Sequence, residues 1–258
     1  MRSHEQTVHT QFDPRAEAYL ESAVHAAGPD LKHTQDLLGR CDAGLQRALD
    51  VGCGAGHLSF AIAPHVGHVV ALDPSANMLA TVTRGAAERG LSRIEVRCGN
   101  AESLPCAPES FALVGTRYSA HHWTRLPAAV QEMSRVLAPG GHVLIIDVVA
   151  PEDPLVDTHF QAMELLRDPS HVRDRSVREW RELLAGVGLA ELEYRSWPVR
   201  IEFASWVARM RTPEASVAAI RALQSGAPRE VQEALALEAD GSFVLHTGLF
   251  WLVKASES

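Results

Sequence analysis

The segment ALDVGCGAGHLSF, residues 48–60, joins an apolar, strand-like run to a helix-like run through three alternating glycines. The apolar run ends at Asp50, and Gly52, Gly54 and Gly56 follow. Glycine lets the backbone turn tightly and approach a bulky polar ligand, because no Cβ stands in the way. A strand, a tight turn and a helix in this order are typical of the first ligand-binding turn of an α/β sheet. The segment therefore predicts a sheet covered by helices and a ligand bound at its edge.

The same strand–helix alternation continues to about residue 150. Nearly continuous apolar runs (HVVALD, RIEVRC, FALVGT and HVLIIDVV) alternate with segments of helical periodicity, one of them starting at a predicted N-cap, Ser75. Apolar strands of this kind are typical of a parallel sheet that is buried on both faces. We therefore predict a doubly wound, Rossmann-like α/β sheet. A sixth strand is expected within LAELEYRSW and a long last strand in SFVLHTGLFWLVKA.

Two later segments interrupt this rhythm. Residues 151–175 are charged and contain proline, and a clear helix restarts only at a capping box formed by Ser176 and Glu179. Residues 203–239 read as mostly helical, before the last strand. We predict one domain over residues 1–258, with N-terminal helices in 10–45, a ligand-binding core in 46–150, and cap insertions at 151–175 and 203–239 that cover a pocket.

Composition narrows the classes of partner. The 258 residues are 46% hydrophobic and 22% charged, with a net charge of -8 and no stripe of Lys or Arg, which argues against nucleic acid. The four cysteines show no C-x-x-C spacing, so neither a disulfide framework nor a zinc ribbon is predicted. Asp147 cuts the longest apolar run, and the N-terminus lacks a signal-like apolar segment. We expect a cytoplasmic protein without membrane contact that acts on a small molecule.

The glycine spacing restricts the ligand further. A dinucleotide fingerprint would place a third glycine at position 57, but this residue is His57, and no P-loop lysine follows. Asp73 ends the second strand, where a carboxylate can accept hydrogen bonds from both hydroxyls of a ribose. Asn100, in GNAESLP after the third strand, can meet the edge of an adenine ring. Together these residues predict an adenosine-containing ligand without phosphates.

Four segments in order, LDVGCGAG, ALDPSANML, GNAESLP and EMSRVLAPGGHVLIID, resemble the class I S-adenosylmethionine-dependent methyltransferases, in particular their ubiquinone/menaquinone-biosynthesis-like (type 11) group. The resemblance covers roughly residues 10–150. It implies a seven-stranded sheet with an antiparallel last strand, and S-adenosylmethionine as cofactor with S-adenosylhomocysteine as product. The family usually has an aspartate where Asn100 stands. The cofactor residues that the resemblance implies are Tyr19, Gly52, Cys53, Gly54, Asp73, Met78, Asn100, Ala101, Glu102 and Arg117.

The methyl acceptor is expected to approach the segment TRYSAHHW, which follows the fourth strand. A hydroxyl or protonated nitrogen must lose its proton, and His122, or failing that His121, is the predicted catalytic base because imidazole titrates near neutrality. Tyr118, Arg167 and His171 are predicted to contact the acceptor, although a solvated surface loop also explains the last two. No metal is expected, because the sequence contains no H-x-x-x-H helix or cysteine pair.

Several plainer interpretations stay open. Cys53 between two glycines is explained by crowding without any chemistry, and Met78 lies on a helical face that core residues also share. A nicotinamide-dependent oxidoreductase has the same fold class, and a non-catalytic regulatory module could retain the same cofactor site. The chemical nature of the acceptor atom (oxygen, nitrogen, carbon or sulfur) and the oligomeric state are not predicted.

Overall fold

The computed structural model describes residues 2–13, 28–41 and 44–255. The helices of this part are α1 (His4–Phe12), α2 (Pro29–Leu38), α3 (His57–Ile62), α4 (Ala76–Glu88), α5 (Leu126–Val136), α6 (Pro154–Arg167), α7 (Val177–Gly186), α8 (Phe203–Met210), α9 (Glu214–Ser225) and α10 (Arg229–Ala234). The strands are β1 (Leu45–Val51), β2 (Val66–Asp73), β3 (Ile94–Cys98), β4 (Phe111–Arg117), β5 (Leu137–Ala150), β6 (Arg175–Ser176), β7 (Leu189–Ile201) and β8 (Phe243–Lys254).

Seven of these strands form one continuous sheet in the order β3-β2-β1-β4-β5-β8-β7. Strands β1 to β5 pair in parallel, whereas β8 runs antiparallel to both of its neighbours, β5 and β7. The short β6 pairs with the end of β5. The apolar residues at the centre of the sheet, among them Leu49, Val70, Val114 and Ile145, are fully buried, as expected for a sheet covered on both faces. The predicted doubly wound, Rossmann-like sheet with an antiparallel last strand is confirmed.

Local signals in the sequence place the helix starts well. The Ser75 hydroxyl accepts a hydrogen bond from the Met78 N–H (3.1 Å) and caps α4, and Ser176 and Glu179 form the predicted capping box of α7. The glycine pair Gly140 and Gly141 lies inside β5. Leu137 already pairs with Phe111, and the register shifts before His142, so the chain crosses the glycines as an irregular strand.

The segment 151–175, which showed no clear helix in the sequence, contains α6. The Asp153 carboxylate caps this helix by accepting from the N–H groups of Leu155 and Val156. One face of α6 is buried, but Glu164 lies among its buried residues and the apolar Leu155 and Leu165 are exposed, so the sequence pattern does not mark that face. The buried face packs with α8, α9 and α10 in a hydrophobic cluster that contains Val156, Phe160, Met163, Phe203, Trp206, Ile220 and Val231. Helices from both predicted cap segments therefore form one layer.

Helix α1 differs from the other helices because it contains no buried residue. Ser3 and Gln6 form a capping box at its start, which stabilises the helix locally. Among the described helices, none is both long enough and apolar enough to cross a bilayer.

Candidate active site

The glycine turn between β1 and α3 adopts backbone conformations that favour glycine. Gly52 and Gly54 have φ angles of +67° and +50°. A Cβ on Gly52 would collide with the Ser119 side chain, so this glycine permits close packing of the turn against the segment after β4. A Cβ on Gly54 would meet no atom within 4 Å. Gly54 therefore presents bare backbone to an open space, which is the cradle that the sequence predicts.

Asp73, at the end of β2, connects the glycine turn after β1 to the turn that follows β2. Its Oδ2 accepts a hydrogen bond from the Gly54 N–H (2.9 Å) and its Oδ1 accepts one from the Ser75 N–H (2.9 Å). Burial raises the pKa of Asp73 despite these two hydrogen bonds. Because each carboxylate oxygen has two lone pairs, both oxygens keep an acceptor position for ligand hydroxyls.

Asp50, at the end of β1, is a second buried carboxylate beside the turn. The Ser59 hydroxyl donates to its Oδ2 (2.6 Å), whereas its buried Oδ1 has no hydrogen-bond partner among the described residues. Burial raises the pKa of Asp50 to about 7. A buried acceptor without a donor is costly, so this atom marks a place where a ligand donor fits.

The predicted adenine-side residues lie on the same wall. The Asn100 side-chain oxygen accepts from the Glu102 N–H (3.0 Å), which leaves the amide nitrogen for other contacts. The Glu102 carboxylate is engaged by the Thr124 hydroxyl and by the main chain and guanidinium of Arg125, at 2.8 Å each. Met78 is 4% exposed and packs with Ala55. Tyr19 lies outside the described residues.

Arg117 forms a buried ion pair with Asp30, their side chains being 5% and 3% exposed. The pair ties α2 to the end of β4, and the guanidinium also lies 4.6 Å from the Tyr118 ring centroid. The Tyr118 hydroxyl bonds to the Thr247 hydroxyl (2.9 Å). The Cys53 thiol is buried, and burial raises its pKa well above the usual range, which disfavours the thiolate.

His121 is held by two aspartates from other parts of the chain. Its Nδ1–H donates to Asp147 Oδ1 (2.6 Å), and Asp174 Oδ1 lies 3.8 Å from the same nitrogen. Although burial by itself would lower it, the charges of Asp147 and Asp174 and the hydrogen bond raise the pKa of His121 to about 9. His121 in this arrangement is therefore an imidazolium at neutral pH.

The adjacent His122 is oriented differently. Its Nδ1–H donates to the Ser170 carbonyl (3.0 Å), a bond that leaves Nε2 as the acceptor nitrogen of the neutral ring. Burial and the neighbouring charge of His121 lower the pKa of His122 to about 4. His122 therefore offers a hydrogen-bond acceptor at neutral pH, and as a base it is weaker than an ordinary imidazole.

Side chains from the segments 151–175 and 203–239 also line the cavity. Arg167 lies 3.5 Å from the Glu164 carboxylate, donates to the Trp206 carbonyl (3.3 Å) and stacks on the Trp206 ring. His171 does not reach the wall: its Nε2 bonds to the Gln161 side-chain oxygen (2.8 Å), behind His121. Burial and the charges of the histidine pair lower the pKa of His171 to about 3.

One cavity of about 490 Å³ joins these elements. Every described residue that the sequence assigned to the cofactor or the acceptor lines it, apart from His171. Helix α1 forms part of its wall and contacts both ends. The His4 Nε2–H donates to the His122 carbonyl (3.0 Å), the Gln11 amide donates to Asp168 (3.4 Å), and Asp13 bonds to the Ser75 hydroxyl.

Sequence reasoning missed Asp147, Asp174, Glu164 and the residues of α1. Asp147 gave a usable signal, because a charged residue inside the apolar run HVLIIDVVA needs a buried partner. Asp174 and Glu164 gave no such signal, because each lies in a charged segment that is equally consistent with an exposed surface loop.

Comparison with known proteins places this chain and its fold among methyltransferases. The family model described as "Methyltransferase domain" matches residues 49–145. The uncharacterized protein YafE of Escherichia coli is 45% identical over 192 residues, which cover 74% of this chain and 93% of YafE. A demethylmenaquinone methyltransferase of Bacillus velezensis is 36% identical over 109 residues, covering 41% of this chain and 47% of that protein.

The uncharacterized methyltransferase YcgJ of Bacillus subtilis is 37% identical over 207 residues, covering 80% of this chain and 81% of YcgJ. Its crystal structure superposes with a TM-score of 0.83 at 33% identity and covers 88% of this chain and 99% of that one. The chain therefore belongs to the class I S-adenosylmethionine-dependent methyltransferases, in the ubiquinone/menaquinone-biosynthesis-like (type 11) group. This membership favours methyl transfer over the nicotinamide-dependent alternative.

Proposed function

We propose that this protein transfers a methyl group from S-adenosylmethionine to a small-molecule acceptor bound between the sheet edge and the cap. The observation that carries the proposal is that one cavity joins the glycine turn and Asp73 to His122 and the cap wall. A cavity of about 490 Å³ lies within the range of small-ligand sites. The net charge of -8 and the small-molecule substrate in the name of the menaquinone-type relative support the same class of acceptor.

The residues at the sheet edge fit the cofactor. Gly54 leaves a space that a Cβ would fill. Asp73 keeps acceptor positions for two ribose hydroxyls, and Asp50 Oδ1 is a buried acceptor without a hydrogen-bond donor among the described residues. We assign the methionine and ribose parts of the cofactor to the turn around Gly52 and Gly54. Met78, Asn100 and Ala101 are assigned to the adenine. Bound there, the cofactor supplies an activated methyl group on its sulfonium.

The chain's own task is then to position the acceptor. Displacement at a methyl carbon is in-line, so a dry cavity that aligns the acceptor atom provides most of the acceleration. Tyr118 and Arg167 are proposed to orient the acceptor from the cap side. His122 is proposed to take a hydrogen bond from the acceptor through Nε2, because its Nδ1–H is engaged by Ser170. His121 is committed to Asp147 and is the second candidate for this role.

Cofactor binding tests the first half of the proposal. S-adenosylmethionine or S-adenosylhomocysteine should raise the melting temperature, since a ligand at about 100 times its dissociation constant adds roughly 2.7 kcal/mol of stability. NADH is the matched control ligand, and it should produce no shift. A shift with NADH alone would reverse the choice between methyltransferase and oxidoreductase.

Turnover tests the second half. A panel of small metabolites and natural-product scaffolds, with hydroxyl, amine, thiol and carbon nucleophiles, is assayed for release of S-adenosylhomocysteine. We expect at least one acceptor class to give release that depends on the protein. Tight cofactor binding without turnover on any panel member would favour a non-catalytic regulatory module.

A further inference from the structure

Three potential metal ligands meet at the acceptor end of the cavity, on three separate parts of the chain. His121 follows β4, Asp147 lies in β5, and Asp174 immediately precedes β6. One ligand atom from each (an imidazole nitrogen and two carboxylate oxygens) lies within 4.8 Å of the others. His121 and Asp174 also line the cavity, so an ion from solvent can reach the cluster.

The hydrogen bond between His121 and Asp147 accounts for two of the three residues. Asp147 Oδ1 also accepts from the Val148 N–H (2.8 Å), so this carboxylate is fixed and satisfied. No comparable hydrogen bond from a described residue accounts for the position of Asp174 Oδ1. Its Oδ1 is buried, points into the cluster at 3.8 Å from His121 Nδ1, and has no hydrogen-bond partner among the described residues. A buried carboxylate oxygen without a donor is costly, and the His121 imidazolium, at 3.8 Å, is too far away to donate a hydrogen bond to it.

The surroundings position Asp174 and leave its oxygen available. Gln161 holds the main chain of Asp174 through both its N–H (3.2 Å) and its carbonyl (2.9 Å). Glu164, 7% exposed, adds a further buried carboxylate beside the cluster. Arg167, which also lines the cavity, lies against Glu164 at 3.5 Å and over the Trp206 ring. The cluster is therefore rich in fixed oxygen ligands.

We propose that His121, Asp147 and Asp174 bind a divalent first-row transition-metal ion, of the Mn²⁺ or Zn²⁺ type. One imidazole with carboxylates is a ligand set that these ions accept. The ion replaces the proton between His121 and Asp147 and supplies the missing partner of Asp174 Oδ1. Metal–ligand bonds of about 2.0–2.2 Å require the His121–Asp147 contact to open slightly and Asp174 to approach. The open cavity side leaves coordination positions for water or for an oxygen of the acceptor.

The test uses the full-length protein stripped of metal with a chelator and then dialysed. Mn²⁺ is titrated by calorimetry and by the loss of its free-ion electron paramagnetic resonance spectrum. We expect one Mn²⁺ per chain, and electron spin echo modulation from one imidazole ¹⁴N. This last signal reports His121 directly in the wild-type protein. No stoichiometric Mn²⁺ or Zn²⁺, or bound Mn²⁺ without a nitrogen signal, would overturn the proposal.

Single substitutions test whether the bound ion lies at the proposed ligands. Asp174→Asn and His121→Ala should each weaken Mn²⁺ binding at least tenfold, whereas Asp36→Asn, a matched change at an exposed position of α2, should leave it unchanged. Far-UV circular dichroism and the melting temperature verify that each variant is folded. Equal weakening by Asp36→Asn would mean nonspecific attraction and reject the site.

S-adenosylhomocysteine affinity is measured in parallel on the chelator-treated protein. It should be unchanged, because none of the three ligands lies in the glycine turn. The metal site and the proposed methyl transfer can therefore fail independently.

Discussion

The Oδ2 atom of Asp73 accepts a hydrogen bond from the main-chain N–H of Gly54 at 2.9 Å. This bond connects the end of β2 to the glycine turn after β1, although the two strands are separated in the chain by α3. The conformation of the turn and the position of the carboxylate are thus set together. A change at Asp73 is expected to disturb both the ligand contact and the shape of the cradle.

Asp73→Ala should weaken S-adenosylhomocysteine binding on the order of 1.5–3 kcal/mol, because a charged acceptor for two hydroxyls is lost. Calorimetry on the folded variant measures this change, with Asp36→Ala as a control at an exposed carboxylate. Unchanged affinity would place the ribose elsewhere.

Gly54→Ala tests the cradle against a matched glycine. Gly54 and Gly90 both have positive φ (+50° and +66°), and a Cβ on either would meet no atom within 4 Å. Both alanine variants should therefore lose about 1 kcal/mol of stability from backbone strain. Only Gly54→Ala should also weaken cofactor binding, by at least tenfold, because its Cβ enters the cavity. Equal cofactor affinity in the two variants would mean that the ligand does not approach Gly54.

His122→Ala should retain cofactor affinity and slow methyl transfer by about 100-fold if the acceptor needs a base, the lower end of the usual range because the lowered pKa makes His122 a weak base. If the acceptor is a thiolate or a neutral amine, the loss should appear in acceptor binding instead. Single-turnover rates and cofactor affinity are measured on the same sample, and His65→Ala, outside the cavity, serves as the control. Wild-type rate and affinity in His122→Ala would remove this residue from the site and direct the test to His121.

The raised pKa of Asp50 predicts that the stability of the fold depends on pH. Its pKa is raised from 3.8 to about 7 in the folded chain, so the folded state holds a proton that the unfolded state releases between these values. The free energy of unfolding should therefore fall as pH rises from about 4 to about 7.

Asp50→Asn removes this ionisation. The variant should be more stable than the wild type at pH 8, on the order of 2–4 kcal/mol, and nearly equal to it below pH 4. Denaturant unfolding without cofactor at several pH values measures the difference. A constant difference at every pH would mean that Asp50 does not titrate in this range.

The parts of the site that could be predicted from the sequence are those encoded by neighbours in the chain. The glycine turn, Asp73 at a strand end and the cap residue Ser75 depend on spacing within a few residues, and the structure brings the first two into direct contact. The sheet could be predicted because strand-like and helix-like segments alternate along the chain. Such signals are readable because turn and strand preferences act over short distances.

The cluster of His121, Asp147 and Asp174 could not be predicted in this way. It forms because β4 and β5 are neighbours in the sheet and because β6 returns the chain alongside the end of β5, where Arg175 pairs with Val149. No periodicity in the sequence encodes these pairings. Helix α6 was missed for a different reason, since its buried face includes the charged Glu164 while Leu155 and Leu165 are exposed, which blurs the contrast between the two faces.

Helix α1 roofs the cavity through side-chain hydrogen bonds and ring contacts, with no buried residue of its own. Detaching this helix would break the contact of Phe12 with Ala55 and Met78 and a few solvent-exchangeable hydrogen bonds. Ligand exchange can therefore proceed by local detachment while the hydrophobic core stays intact. Amide hydrogens of α1 should exchange with solvent far faster than those of β1 or β5, and bound ligand should slow the exchange in α1 selectively.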